Sequence, residues 1–159
     1  MKIMLDPGHG GSDPGATANN IIEKEVNLAV ALLARDLLTA SGVNVIMTRM
    51  DDTYVSLPDR TERANREKVD AFVSIHHNAA SESAARGMEV YHSIVGGEGQ
   101  RLAKLIHDRY QVLIPELPSR GVKTRTGSDG RDYYYVIKKT QMPAVIIEGG
   151  FLTNSQDAA

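Results

Sequence analysis

Short apolar runs alternate with amphipathic stretches along this chain. Ile3 to Leu5 reads as a first buried strand, followed by a loop rich in glycine at Gly8, Gly10, Gly11 and Gly15. From Glu25 to Ala40 the spacing of Val26, Ala29, Val30, Leu33 and Leu37 predicts an amphipathic helix, stopped by Gly42. Val43 to Thr48 is rich in β-branched residues and predicts a second strand. Pro58 suits the first turn of a helix running to about Lys68. Ala71 to Ile75 and Gly87 to Tyr91 predict two more strands. Gln100 to Val112 predicts a helix with Leu102, Leu105, Ile106 and Tyr110 as its apolar positions. Residues 115–132 are rich in Gly, Pro, Ser, Asp and Thr and predict a long loop, a length that often signals function. Tyr133 to Ile137 and Ala144 to Ile147 read as the last strands. Neither an internal repeat nor a low-complexity segment interrupts the pattern. The alternation predicts a single α/β domain: a mixed, mostly parallel sheet of about six strands flanked by helices on both faces.

The 159 residues are enough for one domain with its own core, and 42% hydrophobic and 24% charged residues are ordinary for a globular chain. The chain has no cysteine, so a zinc site here must use histidine and carboxylate, the style of catalytic rather than structural zinc. No apolar run reaches the roughly 18 residues of a membrane span, so none is expected. The first residues lack the basic region, apolar stretch and cleavage site of a signal peptide. A net charge of −2 argues against nucleic acid as a partner. Residues 97–139 are the exception, with 9 basic and 5 acidic side chains. The plain reading is a solvated helix and loop; the alternative is a surface that faces an anionic substrate.

Three apolar runs end in side chains capable of metal binding or proton transfer: His9 follows the first, His76 the third and Glu148 the last. In open α/β sheets, sites collect at the carboxyl ends of strands. Glu23, at the entry of the first helix, completes a set of two histidines and a carboxylate that suits a zinc hydrolase with one ion per chain. Each residue alone has a duller reading. A strand-end histidine is more often a structural hydrogen-bonding group, and Glu23 suits the helix dipole, with Glu25 competing for its role. Glu148 would be explained by an ion pair to Lys138, or else as a general base. Successive strand residues point to opposite faces, so His77 should turn away from an ion held by His76. His107 reads as helix surface, and His92 has no assigned role.

Several motifs together carry a family resemblance. Asp6 to Ala16 (DPGHGGSDPGA), Glu23-Lys24 with Val26-Asn27-Leu28, Val73-Ser74-Ile75-His76 with Asn78, and Met142 to Glu148 with Gly150-Phe151-Leu152-Thr153-Asn154 resemble, in order, the motifs of zinc-dependent N-acetylmuramoyl-L-alanine amidases of the amidase-3 class. Lesser matches are Thr48-Arg49 with Asp51, Leu57 with Arg60, and Arg120-Gly121. The resemblance implies that His9, Glu23 and His76 bind zinc and that Glu148 is catalytic. It implies peptidoglycan as partner, action at the cell wall, and hydrolysis of the amide between N-acetylmuramic acid and L-alanine. With no signal peptide in the first residues, a phage endolysin or an excised catalytic domain would fit that activity. The alternatives are an inactive peptidoglycan-binding module and a zinc peptidase cutting within the stem peptide. His77 stands where the family commonly has a small residue. Residues 1–159 would form the catalytic domain without the C-terminal helix that usually follows the final motif, and as a monomer. Arg120, Arg125 and Arg131, on a loop expected to border the cleft, are candidates for stem-peptide carboxylates.

Overall fold

The chain runs β1 (Lys2–Pro7), β2 (Thr17–Ala18), β3 (Ile21–Ile22), α1 (Glu23–Ala40), β4 (Asn44–Met47), α2 (Leu57–Glu67), β5 (Ala71–Asn78), β6 (Met88–His92), α3 (Gly97–Leu113), β7 (Ser119–Lys123), α4 (Tyr135–Lys139) and β8 (Ala144–Phe151). This is a computed structural model, and it describes all 159 residues. Six strands form one sheet in the order β4-β1-β5-β8-β6-β7, and β2 and β3 make a separate small hairpin. Every pairing within the large sheet is parallel except that of β6 with β8. The predicted mixed, mostly parallel α/β architecture is the one observed.

Two apolar layers hold helices to the two faces of the sheet. Ala31 of α1 and Ala103 of α3 pack with Leu5, Val73, Val90 and Val145 on one face. Ala64 of α2 and Val136 of α4 pack with Met4, Phe72 and Ile146 on the other. Alternation along β1, β5 and β8 sends neighbouring residues into opposite layers, as strand geometry requires. No helix is long and apolar enough to cross a membrane.

Three local readings need correction. Of the apolar stripe expected on α1, Val30 packs against the core but Leu33 and Leu37 do not. Leu33 and Leu37 are 67% and 71% exposed, while the inward line is Glu23, Asn27 and Ala31. That line begins with two polar residues and continues with a small one, and Leu28, Leu32 and Leu38 pack on either side of it. Residues 115–132 are not wholly loop, because Ser119–Lys123 forms edge strand β7 beside β6. Its composition is polar because it is only half covered, and a register irregularity between Met88 and Val90 interrupts the pairing. Tyr133 to Ile137 is not a strand; its larger part belongs to the short helix α4. Val136 and Ile137 are both buried in the same apolar layer, which consecutive strand residues cannot achieve. Packing there overrides the β-propensity of the aromatic and branched residues.

The packing of α1 yields a direct test. Leu33→Gln and Leu37→Gln should each change stability by less than about 0.5 kcal/mol, as at other exposed positions. Ala31→Leu should cost about 1–3 kcal/mol through overpacking. Urea unfolding of the three variants decides whether the inward line is drawn correctly.

Candidate metal centre

β1, β5 and β8 lie side by side in parallel, so their carboxyl ends meet at one edge. His9 follows β1, His76 lies near the end of β5, and Glu148 sits in β8 directly opposite His76 in the register. Glu23 enters from the first turn of α1. Its helix has no side-chain cap; instead the Glu23 and Lys24 amides donate to the carbonyls of Ala16 and Pro14, at 2.9 and 3.1 Å. The glycine-rich loop therefore both carries His9 and seats the helix that carries Glu23.

That loop is held from behind by two buried arginines. Arg60 donates to Asp6 Oδ1 (2.7 Å) and to the carbonyls of Pro7 (2.8 Å), His9 (2.8 Å) and Val55 (2.8 Å). Arg49 donates to the carbonyls of Pro7, Gly8, Asp51 and Lys24. Asp6 also accepts from Thr48 and Ser74. His9 has a φ of 62°, a left-handed conformation that costs an ordinary residue about 1–3 kcal/mol. The arginine clamp on its flanking carbonyls is what maintains it.

One Glu23 oxygen, Oε1, lies 3.1 Å from His9 Nε2 and 3.1 Å from His76 Nδ1. The donor atoms of His9, Glu23 and His76 all fall within 4.8 Å of one another. Glu23 is itself fixed: Oε2 accepts from the Ala16 amide, and Oε1 accepts from the His77 amide and the Asn27 side chain. His9 Nδ1 meets Asp13 at 2.8 Å, which orients the ring and leaves Nε2 toward the cluster. Two glycines clear the space. A Cβ on Gly8 would stand 2.2 Å from His76 Cε1, and one on Gly15 would stand 2.6 Å from Glu23 Oε2.

The electrostatics favour positive charge at the centre of this cluster. Burial opposes a charged His9 imidazole, but the Glu23 and Asp13 carboxylates outweigh it and raise its pKa to about 9. Burial likewise opposes ionisation of Glu23, yet hydrogen bonds from His76 and His9 hold it well below the usual carboxylate range. Two imidazoles and a carboxylate converging on one point, with an open side, match the donor set of catalytic zinc. The residues present therefore fit the ion.

Glu148 differs from the other three. Its Oε2 is buried and has no hydrogen-bond partner. The ion pair with Lys138 does not form, since Lys138 bonds Asp129 instead. Burial pushes the Glu148 carboxyl up to about 7; His76 pulls the other way, and the Glu23 and Glu89 carboxylates add to the rise. Glu25, the competitor of Glu23, is exposed and lies outside the donor cluster. His77 also lies outside it, with Nδ1 2.8 Å from Asn27 Oδ1 on α1. Of the three loop arginines, Arg120 reaches Glu89 beside Glu148, and Arg125 stacks 3.7 Å over the Tyr133 ring. Arg131 stands on an exposed turn whose hydrogen bonds are made by its backbone.

Sequence reasoning gave no role to Arg49, Arg60, Asn27 or Asp6. Asp6 carried a signal, since an acid at the end of an apolar run needs a buried partner. Arg49 and Arg60 lie on separate segments whose meeting only the fold reveals.

An α/β sheet with two imidazoles, a buried carboxylate and an unpartnered glutamate at its carboxyl edge has an arrangement able to hold a metal ion beside a proton-transfer group. The chain belongs to the Amidase_3 family, N-acetylmuramoyl-L-alanine amidase, which matches residues 3–159. It is 38% identical over 159 residues to the N-acetylmuramoyl-L-alanine amidase LytC of Bacillus subtilis, covering 99% of this chain and 30% of LytC. Among solved structures it resembles Cwp6 from Clostridium difficile, with a TM-score of 0.95 and 37% identity over 99% of this chain and 25% of that one. It also resembles the N-acetylmuramoyl-L-alanine amidase AmiC2 of Nostoc punctiforme, with a TM-score of 0.90 and 32% identity over 99% of this chain and 83% of that one. The chain thus spans less than a third of LytC and a quarter of Cwp6.

Two tests follow from this geometry. Zinc should raise the melting temperature of the wild type, because an ion bound only by the folded state stabilises it. Gly8→Ala, which drives a methyl group into the His76 ring, should lose that response and at least about tenfold in zinc affinity, measured against a competing chelator. Unchanged affinity would exclude His76 from the site. The second test concerns Glu148 in metal-free protein. An acid whose folded value of about 7 exceeds its unfolded value of 4.5 binds an extra proton in the folded state between those limits. Stability therefore falls as pH rises from 4.5 to about 7, and the loss is complete above that. Glu148→Gln removes the loss, so its gain over wild type should be larger at pH 8 than at pH 5, by up to about 3 kcal/mol. An equal gain at both pH values would mean that Glu148 is not a desolvated acid.

Proposed function

We propose that residues 1–159 act as the catalytic domain of a peptidoglycan hydrolase working on the cell wall. The bond cut is the amide joining the lactyl group of N-acetylmuramic acid to the L-alanine of the stem peptide. The observation that carries the reading is the convergence of His9, Glu23 and His76 beside Glu148, whose buried oxygen has no partner of its own. Membership of the amidase family supplies the substrate class.

His9, Glu23 and His76 would hold one zinc ion. An ion bound there would supply Lewis-acid chemistry, acidifying a water and polarising the scissile carbonyl. Glu148 accepts the proton of the attacking water as the new carbon–oxygen bond forms. It then delivers that proton to the departing nitrogen as the carbon–nitrogen bond breaks. The products are a lactyl carboxylate and a free L-alanine amine. The buried oxygen of Glu148, which has no hydrogen-bond partner in the fold, is free to take and then to give that proton. Asn27, Asp13 and the His77 amide hold the ligands in place, and the Arg49–Arg60 clamp holds the loop.

Glu148→Gln should fold and retain zinc but lose about 10²–10⁴-fold in turnover, the usual contribution of general acid–base catalysis. His9→Ala should lose zinc together with activity. The measurements are zinc content, wall binding and the new amino terminus on the same preparations. Near-normal turnover by Glu148→Gln would overturn the mechanism. A new amino terminus other than L-alanine would replace the amidase by a peptidase.

A further inference from the structure

The catalytic edge has two chemically different flanks. Over the α2–α4 face, a cavity of about 320 Å³ opens beside His9 and His76. Its size, near the lower end of ligand sites, suits one sugar residue rather than a glycan chain. Tyr54 and Leu57 line it from the segment entering α2, and Tyr134 and Tyr135 line it at the start of α4. Tyr54 is 55% exposed and Leu57 50%, so apolar surface is presented to whatever enters.

The other flank is cationic. Glu89 on β6 is the register partner of Glu148. Arg120 Nε and Lys123 Nζ both donate to Glu89 Oε2, at 2.9 and 2.5 Å, while Asn78 and Tyr91 donate to Oε1. Burial works against ionisation of Glu89, but Lys123 and Arg120 bring its pKa down to about 2. Two cations on one carboxylate leave a surplus positive charge. Arg120 uses only Nε here, so its two terminal amino groups have no bond within the chain. The Arg120 and Lys123 side chains remain 37% and 33% exposed.

We propose that these flanks fix the polarity of the substrate, an inference that rests on the amidase reading. The muramoyl sugar occupies the tyrosine-lined cavity, and the anionic stem peptide runs across β6 toward Arg120 and Lys123 on β7. The strand order places the ligands at β1 and β5, the base at β8, Glu89 at β6 and the cations at β7, so the substrate is read in that direction. Aromatic side chains offer flat apolar faces with a polar tip, which suits a sugar ring. Guanidinium and ammonium groups pair with carboxylates. The reverse placement meets an obstacle. The only arginine or lysine lining the cavity is Arg60, and its nitrogens are engaged by Asp6 and the carbonyls of Val55, Pro7 and His9. Asp6 and Asp13 also line the cavity, paired with Arg60 and His9, so no free guanidinium or ammonium group there awaits a stem-peptide carboxylate.

The test uses three soluble substrates on zinc-loaded protein: an N-acetylmuramoyl peptide, the same peptide on a lactoyl group without the sugar, and the muramoyl peptide with its carboxylates amidated. Wild type should prefer the first over both others. Tyr54→Ala should lose about tenfold in kcat/KM on the two muramoyl substrates and be unchanged on the lactoyl peptide. Arg120→Gln should lose about tenfold on the two substrates with free carboxylates and be unchanged on the amidated one, a factor typical of one charge-assisted hydrogen bond. Lys123, Asn78 and Tyr91 still hold Glu89 in that variant, so it should fold. Titrating N-acetylmuramic acid into zinc-loaded Glu148→Gln should shift the NMR signals of Tyr54 and Tyr135 and leave β7 unmoved. Exchanged sensitivities, equal losses on all three substrates, or shifts at β7 without shifts at the tyrosines would each overturn the proposed polarity. No cleavage of any substrate by wild type would instead remove the amidase reading beneath it.

Discussion

The buried ion pair between Asp6 and Arg60 is the constraint on which the rest of this structure depends. Their side chains are 1% and 4% exposed, and the carboxylate also accepts from Thr48 and Ser74. One anion thus ties the end of β1 to the segment after β4, to β5 and to α2. A buried pair need not stabilise a protein relative to an apolar pair, but losing one partner costs about 3–5 kcal/mol, because the other charge is left stranded. Arg60 spends its remaining donors on the carbonyls of Pro7, His9 and Val55. The pair that closes the sheet edge is therefore also the pair that aims His9.

From there the arrangement passes outward through fixed contacts. The loop that Arg60 and Arg49 immobilise provides the carbonyls that receive the first amides of α1, and α1 provides Glu23 and Asn27. Asn27 is fully buried and joins Glu23 to the His77 ring and the Gly8 carbonyl. Unfavourable features collect at this edge: a left-handed histidine, an acid wedged between imidazoles and a carboxylate oxygen with no partner. Such features persist where the surroundings over-determine them, and they mark the place where a fold has been shaped for chemistry. The apolar layers beneath, with Met4, Phe72, Val90 and Val145 sealed from solvent, offset them.

The central strands were legible because their apolar runs are buried on both faces and need no partner information to be recognised. Their terminal residues His9, His76 and Glu148 were legible for the same reason, since a polar group at the end of such a run stands out. What failed had a physical cause in each case. The centre of the inward face of α1 was hidden because its fully buried positions are Glu23, Asn27 and Ala31, suited to the site and to close approach, while the flanking leucines Leu28, Leu32 and Leu38 do the packing. β7 was hidden because an edge strand beside a charged cluster carries Arg and Lys instead of Val and Ile. α4 was hidden because one turn of helix has too few residues to show a period, and its local preference points the other way. Arg49 and Arg60 were visible as residues and as fragments of a resemblance, but their role exists only once β1, β4 and α2 meet.

The distribution of cations shows how the same residue type is put to opposite uses. Arg49 and Arg60 have their donors turned inward onto carbonyls and Asp6, so they shape the site without lending it an available charge. Within the basic stretch of residues 97–139, three cations are answered by acids of the same stretch: Arg101 by Glu98, Lys104 by Asp108 and Lys138 by Asp129. Arg120 and Lys123 are different because they share a single carboxylate, and that carboxylate stands opposite the proposed base. A charge count along the sequence treats these cations alike. Only the ratio of donors to acceptors within each cluster separates solvated surface, structural clamp and charge left over for a substrate.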